Sequence, residues 1–216
     1  MNIIDKAIAK LPPEYQREWE AINEGVRDPI DKISEWFPAH RRAVAVAWSD
    51  WAREQTDARV VIIAVAKWSP KLGVLLACVC AREAVKYVSA SERRPYAAIE
   101  TAEFWVLGRA SGQSCKYAAA EARDAESAAY DYAAVYATKS AESAVSAASA
   151  AADSVADSVA AAAYDAASAA AHAAAAVSAK TWSIAYRAEL RRLCGVISDD
   201  LIEGRTGQYM LFHSDY

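Results

Sequence analysis

The chain has 216 residues, of which 55% are hydrophobic and 24% charged, and its formal net charge is -4. That length suits one large domain or two small ones, and the apolar share is enough for a sizeable core. The mildly acidic balance excludes a chain-wide basic charge of the kind nucleic acid draws on, so no nucleic-acid partner is expected.

Only 7 glycines and 6 prolines interrupt the chain. Few breakers, with much Ala, Glu, Lys and Arg, favour helix throughout. The expected fold is all-α: a compact multi-helix bundle with alanine-rich, closely packed helices in the C-terminal half. We read one domain over 1–216. It comprises an N-terminal helical segment at 1–37, helices packed by Trp, Val and Leu at 38–110, alanine-rich helices at 111–194 and a C-terminal tail at 195–216.

The opening MNIIDKAIAKLPPEY carries Asp5 early and has no long apolar run, so it does not read as a secretory leader. PPEYQREWEAINEG reads as a first helix between Pro12 and Gly25, and DPIDKISEWF as a short helix or turn capped by Asp28. PAHRRAVAVAWSDWAREQ has helical spacing, with Ala43, Ala47 and Trp51 on one stripe. DARVVIIAVAKW is apolar nearly all round, as a central buried helix is. A strand over RVVIIAV is the local alternative, rejected because no second strand candidate exists to pair with it. Pro70 opens the next helix. The apolar run across this junction is cut by Lys67, Ser69, Pro70 and Lys71, so neither half spans a bilayer. No membrane partner is expected, and the expected location is cytoplasmic.

Cys78 and Cys80 are two apart on a helix and point to different faces, which suits neither one disulfide nor one metal. All four cysteines read as small buried apolar residues. Pro95 fits the first helical position of PYAAIETAEFWVL, which Gly108 ends. From Gln113 to Leu193 there is neither Gly nor Pro. One helix of that length does not fit a compact domain, so turns are expected near Ser140 and near Lys180. The tail is expected to hold a short helix from Asp199, capped by Ser198–Asp200.

Within the long stretch, residues 147–179 are nearly two-thirds alanine. On a helical wheel Ser154, Ser158, Asp165, Ser168 and His172 share a polar face. Val155, Val159, Ala162, Ala166, Ala170, Ala173 and Val177 share an apolar one. A linker would want Gly or Pro, so the stretch reads as core. Alanine buries little area but lets helix axes approach closely.

No P-loop, G-x-G-x-x-G or H-E-x-x-H is present. His40, His172 and His213 lack ligand-spaced partners, so no metal site is expected. Ser168 and His172 are four apart, but a helix interior offers no oxyanion hole. They read as a solvated polar stripe, as do Asp153 and Asp157. No catalytic residue, cofactor or enzyme activity is assigned.

ERRPYAAIETAEFWVLG stands out. Glu100 and Glu103 are like charges three apart, unfavourable unless one has a partner. Arg82, Arg93 or Arg94 can supply it as a clamp between helices. Alternatively Arg93, Arg94, Glu100, Trp105 and Arg109 form a polar binding surface. The pattern R-P-x-x-A-I-E-x-x-x-x-W, met at Arg94, Pro95, Ala98, Ile99, Glu100 and Trp105, resembles the Imm5-type immunity proteins of bacterial polymorphic toxin systems. The likeness runs in style from about Leu76 to Leu193, and only the motif is specific. The family's late histidines are reduced here to His172, and the first seventy-odd residues match nothing in it.

The resemblance implies a non-catalytic binding protein that neutralises a protein toxin or, in a phage setting, a host defence effector. Acidic stretches from Glu121 to Asp165 would meet a basic partner. The alternative is a protein that sequesters a nucleotide-like small molecule. It would use the 7 Trp, the 11 Tyr and arginines such as Arg93, Arg94, Arg109 and Arg123 between helices or at a subunit interface. Alanine faces can also pack between chains, which would make a homo-oligomer.

Overall fold

The computed structural model describes residues 13, 16–17, 49–178 and 182–202, of which 67–68, 156 and 201–202 are described by backbone alone. Apart from residues 13, 16 and 17, which are helical, the predicted helices before Pro38, and most of the one that follows it, lie outside the described residues. Every regular element among the described residues is helical. The protein is all-α, and RVVIIAV is helix, not strand. The chain divides into two compact units, Met1–Glu54 with Ser198–Tyr216, and Gln55–Ile197.

In the first unit residues 49–54 are helical and Trp51 and Ala52 are buried. The buried hydroxyls of Ser49 and Ser198 share a hydrogen bond of 2.8 Å. Arg53 pairs with Asp199 at 2.9 Å.

The second unit begins with α1 (Ala58–Trp68) and α2 (Pro70–Val85). One residue, Ser69, closes the first and caps the second: its N–H donates to the Val65 carbonyl and its hydroxyl accepts from the Leu72 N–H. Pro70 then occupies a first-turn position, where its missing N–H costs nothing. α3 is Arg94–Val106, with Pro95 again in the first turn, and Gly108 leaves it at a φ of +69°. Ser111 caps α4 (Gly112–Ala128) by accepting from the Ser114 N–H. α5 (Tyr132–Ala152), α6 (Ala156–Ala176) and α7 (Trp182–Ile202) follow.

The first six helices form two layers of three. α1, α2 and α3 neighbour one another in order, as do α6, α5 and α4, and α2 and α5 meet across the middle. The two layers bring different side chains. The first buries Val61, Ile62, Val65, Leu72, Leu76 and Ile99. The second buries Ala137, Ala141, Ala144, Ala148, Ala163 and Ala166. Bulky groups of one layer thus press on a surface of methyl groups, and the alanine stretch is core, as its composition predicts.

Three local expectations are corrected. The turn expected near Ser140 is absent: α5 runs through it, and the Ser140 hydroxyl donates to the Ala166 carbonyl of α6 at 2.7 Å. A serine whose hydroxyl finds a partner in a neighbouring helix has no need to break its own. The breaks fall instead at 129–131 and at 153–155, where Ser154 adopts a φ of +60°. The alanine stretch is therefore the end of α5 plus α6, and Val155 and Val177, placed on its apolar face, are exposed at the ends of α6. Finally, the expected tail at 195 is still helix. α7 runs through Gly195 and Ser198–Asp200 to Ile202, so Ser198–Asp200 lies inside a helix and does not start one. An interior glycine costs about 1 kcal/mol, less than the burial of Leu193, Cys194 and Ile197 around it returns. α6 ends at Ala176 and α7 begins at Trp182, and Lys180, near which a turn is expected, lies outside the described residues.

Candidate functional site

The α3 motif splits by helical face. Glu103 is buried and takes both its oxygens to the Arg82 fork of α2, Nε–Oε1 and Nη2–Oε2 each at 2.7 Å. Glu100 is exposed. The inter-helix clamp is thus made by Arg82 and Glu103. Arg94 turns to Glu92, 2.6 Å away, and its guanidinium holds that carboxyl down at about 2. Trp105 is half-buried, and Arg93 and Arg109 are exposed. None of these five predicted binding residues lines either cavity described here. Arg123 pairs with Glu142 of α5, Nε–Oε1 at 2.9 Å.

The structure gathers aromatic and cationic groups elsewhere, where α7 meets α1 and α6. Asp57 caps α1, accepting from the Arg59 N–H, and both its oxygens take the Arg59 side chain at 2.7–3.1 Å. Burial pushes the Asp57 carboxyl up, but the Arg59 hydrogen bonds outweigh it and hold the group below its ordinary value. The remaining guanidinium nitrogen, Nη1, donates to the Tyr164 hydroxyl of α6 at 2.9 Å and the Tyr186 hydroxyl of α7 at 3.0 Å. The guanidinium also lies 5.0 Å from the Tyr164 ring centre and 5.6 Å from that of Tyr186. Ser168 completes the knot, its hydroxyl 3.1 Å from that of Tyr186.

Beside it stands a column of rings. His172 stacks on Tyr136 at 4.7 Å and on Trp182 at 5.0 Å, and Trp182 lies nearly parallel to Tyr186 at 5.2 Å. His172 is therefore not part of a solvated stripe, and Ser168 bonds Tyr186. The Nδ1 of His172 is buried with no hydrogen-bond partner among the described residues. Burial, then the charges of Arg59 and Lys139, hold its pKa below 6.5, so it is neutral at pH 7.

The outer side of this cluster is an open cleft of about 790 Å³. Its α7 wall is two parallel ridges of four-residue spacing. One is Trp182, Tyr186 and Leu190; the other is Ser183, Arg187 and Arg191. Asp57 and Arg59 line the opposite side. Leu190 is buried, Trp182 is 46% exposed, and Arg187 and Arg191 are exposed with no ion-pair partner among the described residues. With Arg59 neutralised by Asp57, the net charge of the wall comes from Arg187 and Arg191. A second, shallower cavity of about 380 Å³ lies over Lys116, Arg123 and Asp153, where the two cations already have acidic partners.

The α7 ridges were readable in TWSIAYRAELRRL as two four-residue series. The contributions of Arg59 and Tyr164 were not, because both arrive from over a hundred and from twenty-two positions away in the chain. All four cysteines are free and buried. No group of three or more His, Cys, Asp or Glu among the described residues could hold a metal ion. No helix among them is long and apolar enough to cross a membrane. Compared with protein-family models, with curated proteins and with solved structures, the chain has no match in any of the three.

Proposed function

We propose that this is a non-catalytic binding protein whose α7 cleft sequesters a small, negatively charged, ring-bearing ligand of nucleotide type. The observation that carries this reading is the pairing of two guanidiniums, Arg187 and Arg191, which have no ion-pair partner among the described residues, with the exposed indole of Trp182 on one wall. A guanidinium fork matches phosphate oxygens, and an indole face takes a flat ring. No side chain in the cleft is asked to do chemistry. Where the ligand is a signal that a toxin or immune effector reads, holding it would neutralise that effector. This accords with the immunity role implied by the Arg94–Trp105 motif.

A direct protein contact is the second reading. The exposed acids Glu121, Asp124 and Asp165 on the alanine-rich helices, with Asp131 at the start of α5, favour it, as they would face a basic partner. Native mass spectrometry of the protein isolated from its host separates the two. A retained mass of several hundred daltons that denaturation releases supports sequestration. A retained polypeptide in place of a small molecule supports direct contact and refutes it.

A further inference from the structure

We propose that the cleft selects ligands bearing two phosphoryl groups, one for each of Arg187 and Arg191, with the ring laid on Trp182. This rests on the reading of the cleft as a site for a ring and an anion.

The donors left free in the cleft decide which ligand it can hold. Arg59 is the most enclosed cation of the cleft, yet its Nε and Nη2 are committed to Asp57 and its Nη1 to two tyrosine hydroxyls. It is a positioning residue: it fixes Tyr186, and through Tyr186 the face of α7. Phosphate recognition therefore falls to Arg187 and Arg191. They are one turn apart on one ridge, about 6 Å along the axis. Each fork is built to take two oxygens of one group. Two forks need four oxygens. A phosphomonoester has three to offer, so one fork would be left half-filled. A diphosphate ester has five that are not bridging, and a pair of phosphodiesters has four. Both satisfy the wall, and they share the chemistry of two phosphoryl groups.

The ring has one place to go. Tyr186 is covered on one side by Trp182, and His172 is stacked between Tyr136 and Trp182. The exposed surface of the column is Trp182, which begins the ridge beside the arginines. Ring and phosphates would then lie side by side along α7.

Calorimetry with AMP, ADP, cyclic di-AMP and inorganic pyrophosphate at low salt tests this on the full chain. ADP or cyclic di-AMP is expected to bind about tenfold more tightly than AMP, the worth of one further fork contact. Arg187→Gln and Arg191→Gln should each bring the tighter ligand to the affinity of AMP. Trp182→Ala should weaken the nucleotides and leave pyrophosphate unchanged. All three side chains are exposed, and unchanged helical circular dichroism confirms that each variant folds. Preference for cyclic di-AMP over ADP assigns the wall to separated phosphodiesters; the reverse assigns it to a diphosphate. Equal affinity for AMP and both two-phosphoryl ligands overturns the inference while the cleft remains a nucleotide site. Absence of binding by all four probes overturns both.

Discussion

Glu100 and Glu103 sit one turn apart in α3, and the two residues meet opposite environments. Glu103 is 6% exposed and closes a two-bond fork with Arg82; Glu100 faces water. Glu103→Gln leaves the Arg82 charge without its counter-ion. Arg82 is partly exposed and can recover some hydration, so the loss is expected to be about 2 kcal/mol, below that of a fully buried pair. Glu100→Gln should change stability by less than about 0.5 kcal/mol. Urea melts of the two variants check this, and equal losses would show that the fork does not hold α3 on α2. His172 gives a pH prediction. Its folded pKa lies below 6.5, so on acidification the unfolded chain takes up this proton before the folded one. Its contribution is fully present above pH 6.5 and is lost as pH falls through the folded value. His172→Phe keeps a ring in the column and should flatten that part of the stability profile, on the acid side of pH 6.5. An unchanged slope in the variant would mean that the column does not hold the imidazole neutral.

At the level of helices, the joint between α1 and α2 is the tightest in the described chain to be set by a single residue, Ser69. The turn needs Gly73 as much as it needs Pro70. A Cβ on Gly73 would sit 2.7 Å from the Ala66 Cα, a backbone atom that cannot yield without moving α1. Gly73→Ala, normally favourable in a helix, is expected to destabilise by about 3 kcal/mol here, which a denaturant melt would register. A stabilised variant would mean that the helices do not approach this closely. This joint was legible in the sequence because its determinants are local: a capping serine, a first-turn proline and apolar runs on both sides. The same holds for α3, between Pro95 and Gly108. The breaks at 129–131 and 153–155 were not legible. They fall where the chain reaches the edge of its layer, and alanine-rich sequence carries no local mark of that edge. Ser140, with its hydroxyl tied to α6, shows the converse, since a polar residue that resembles a break is an inter-helix contact.

For the molecule as a whole, the fold class followed from composition, since a chain this poor in breakers and rich in alanine has few alternatives to packed helices. The candidate site did not follow, because it is assembled from α1, α6 and α7, and only the α7 part has a pattern within one window. The motif in α3 drew attention through its rarity, whereas its buried members, Ile99, Ala102 and Glu103, hold helices together. Burial also governs how the four cysteines behave. Burial lifts the Cys115 and Cys194 thiols to about 11 and Cys80 higher still, so almost none is thiolate at neutral pH. An alkylating reagent then finds no nucleophile in the folded state and must wait for the chain to open. Pulse labelling with iodoacetamide, read by intact mass, becomes a clock for global opening. The four adducts should appear together, at a rate set by unfolding or by its equilibrium, with no early single adduct from a locally exposed site.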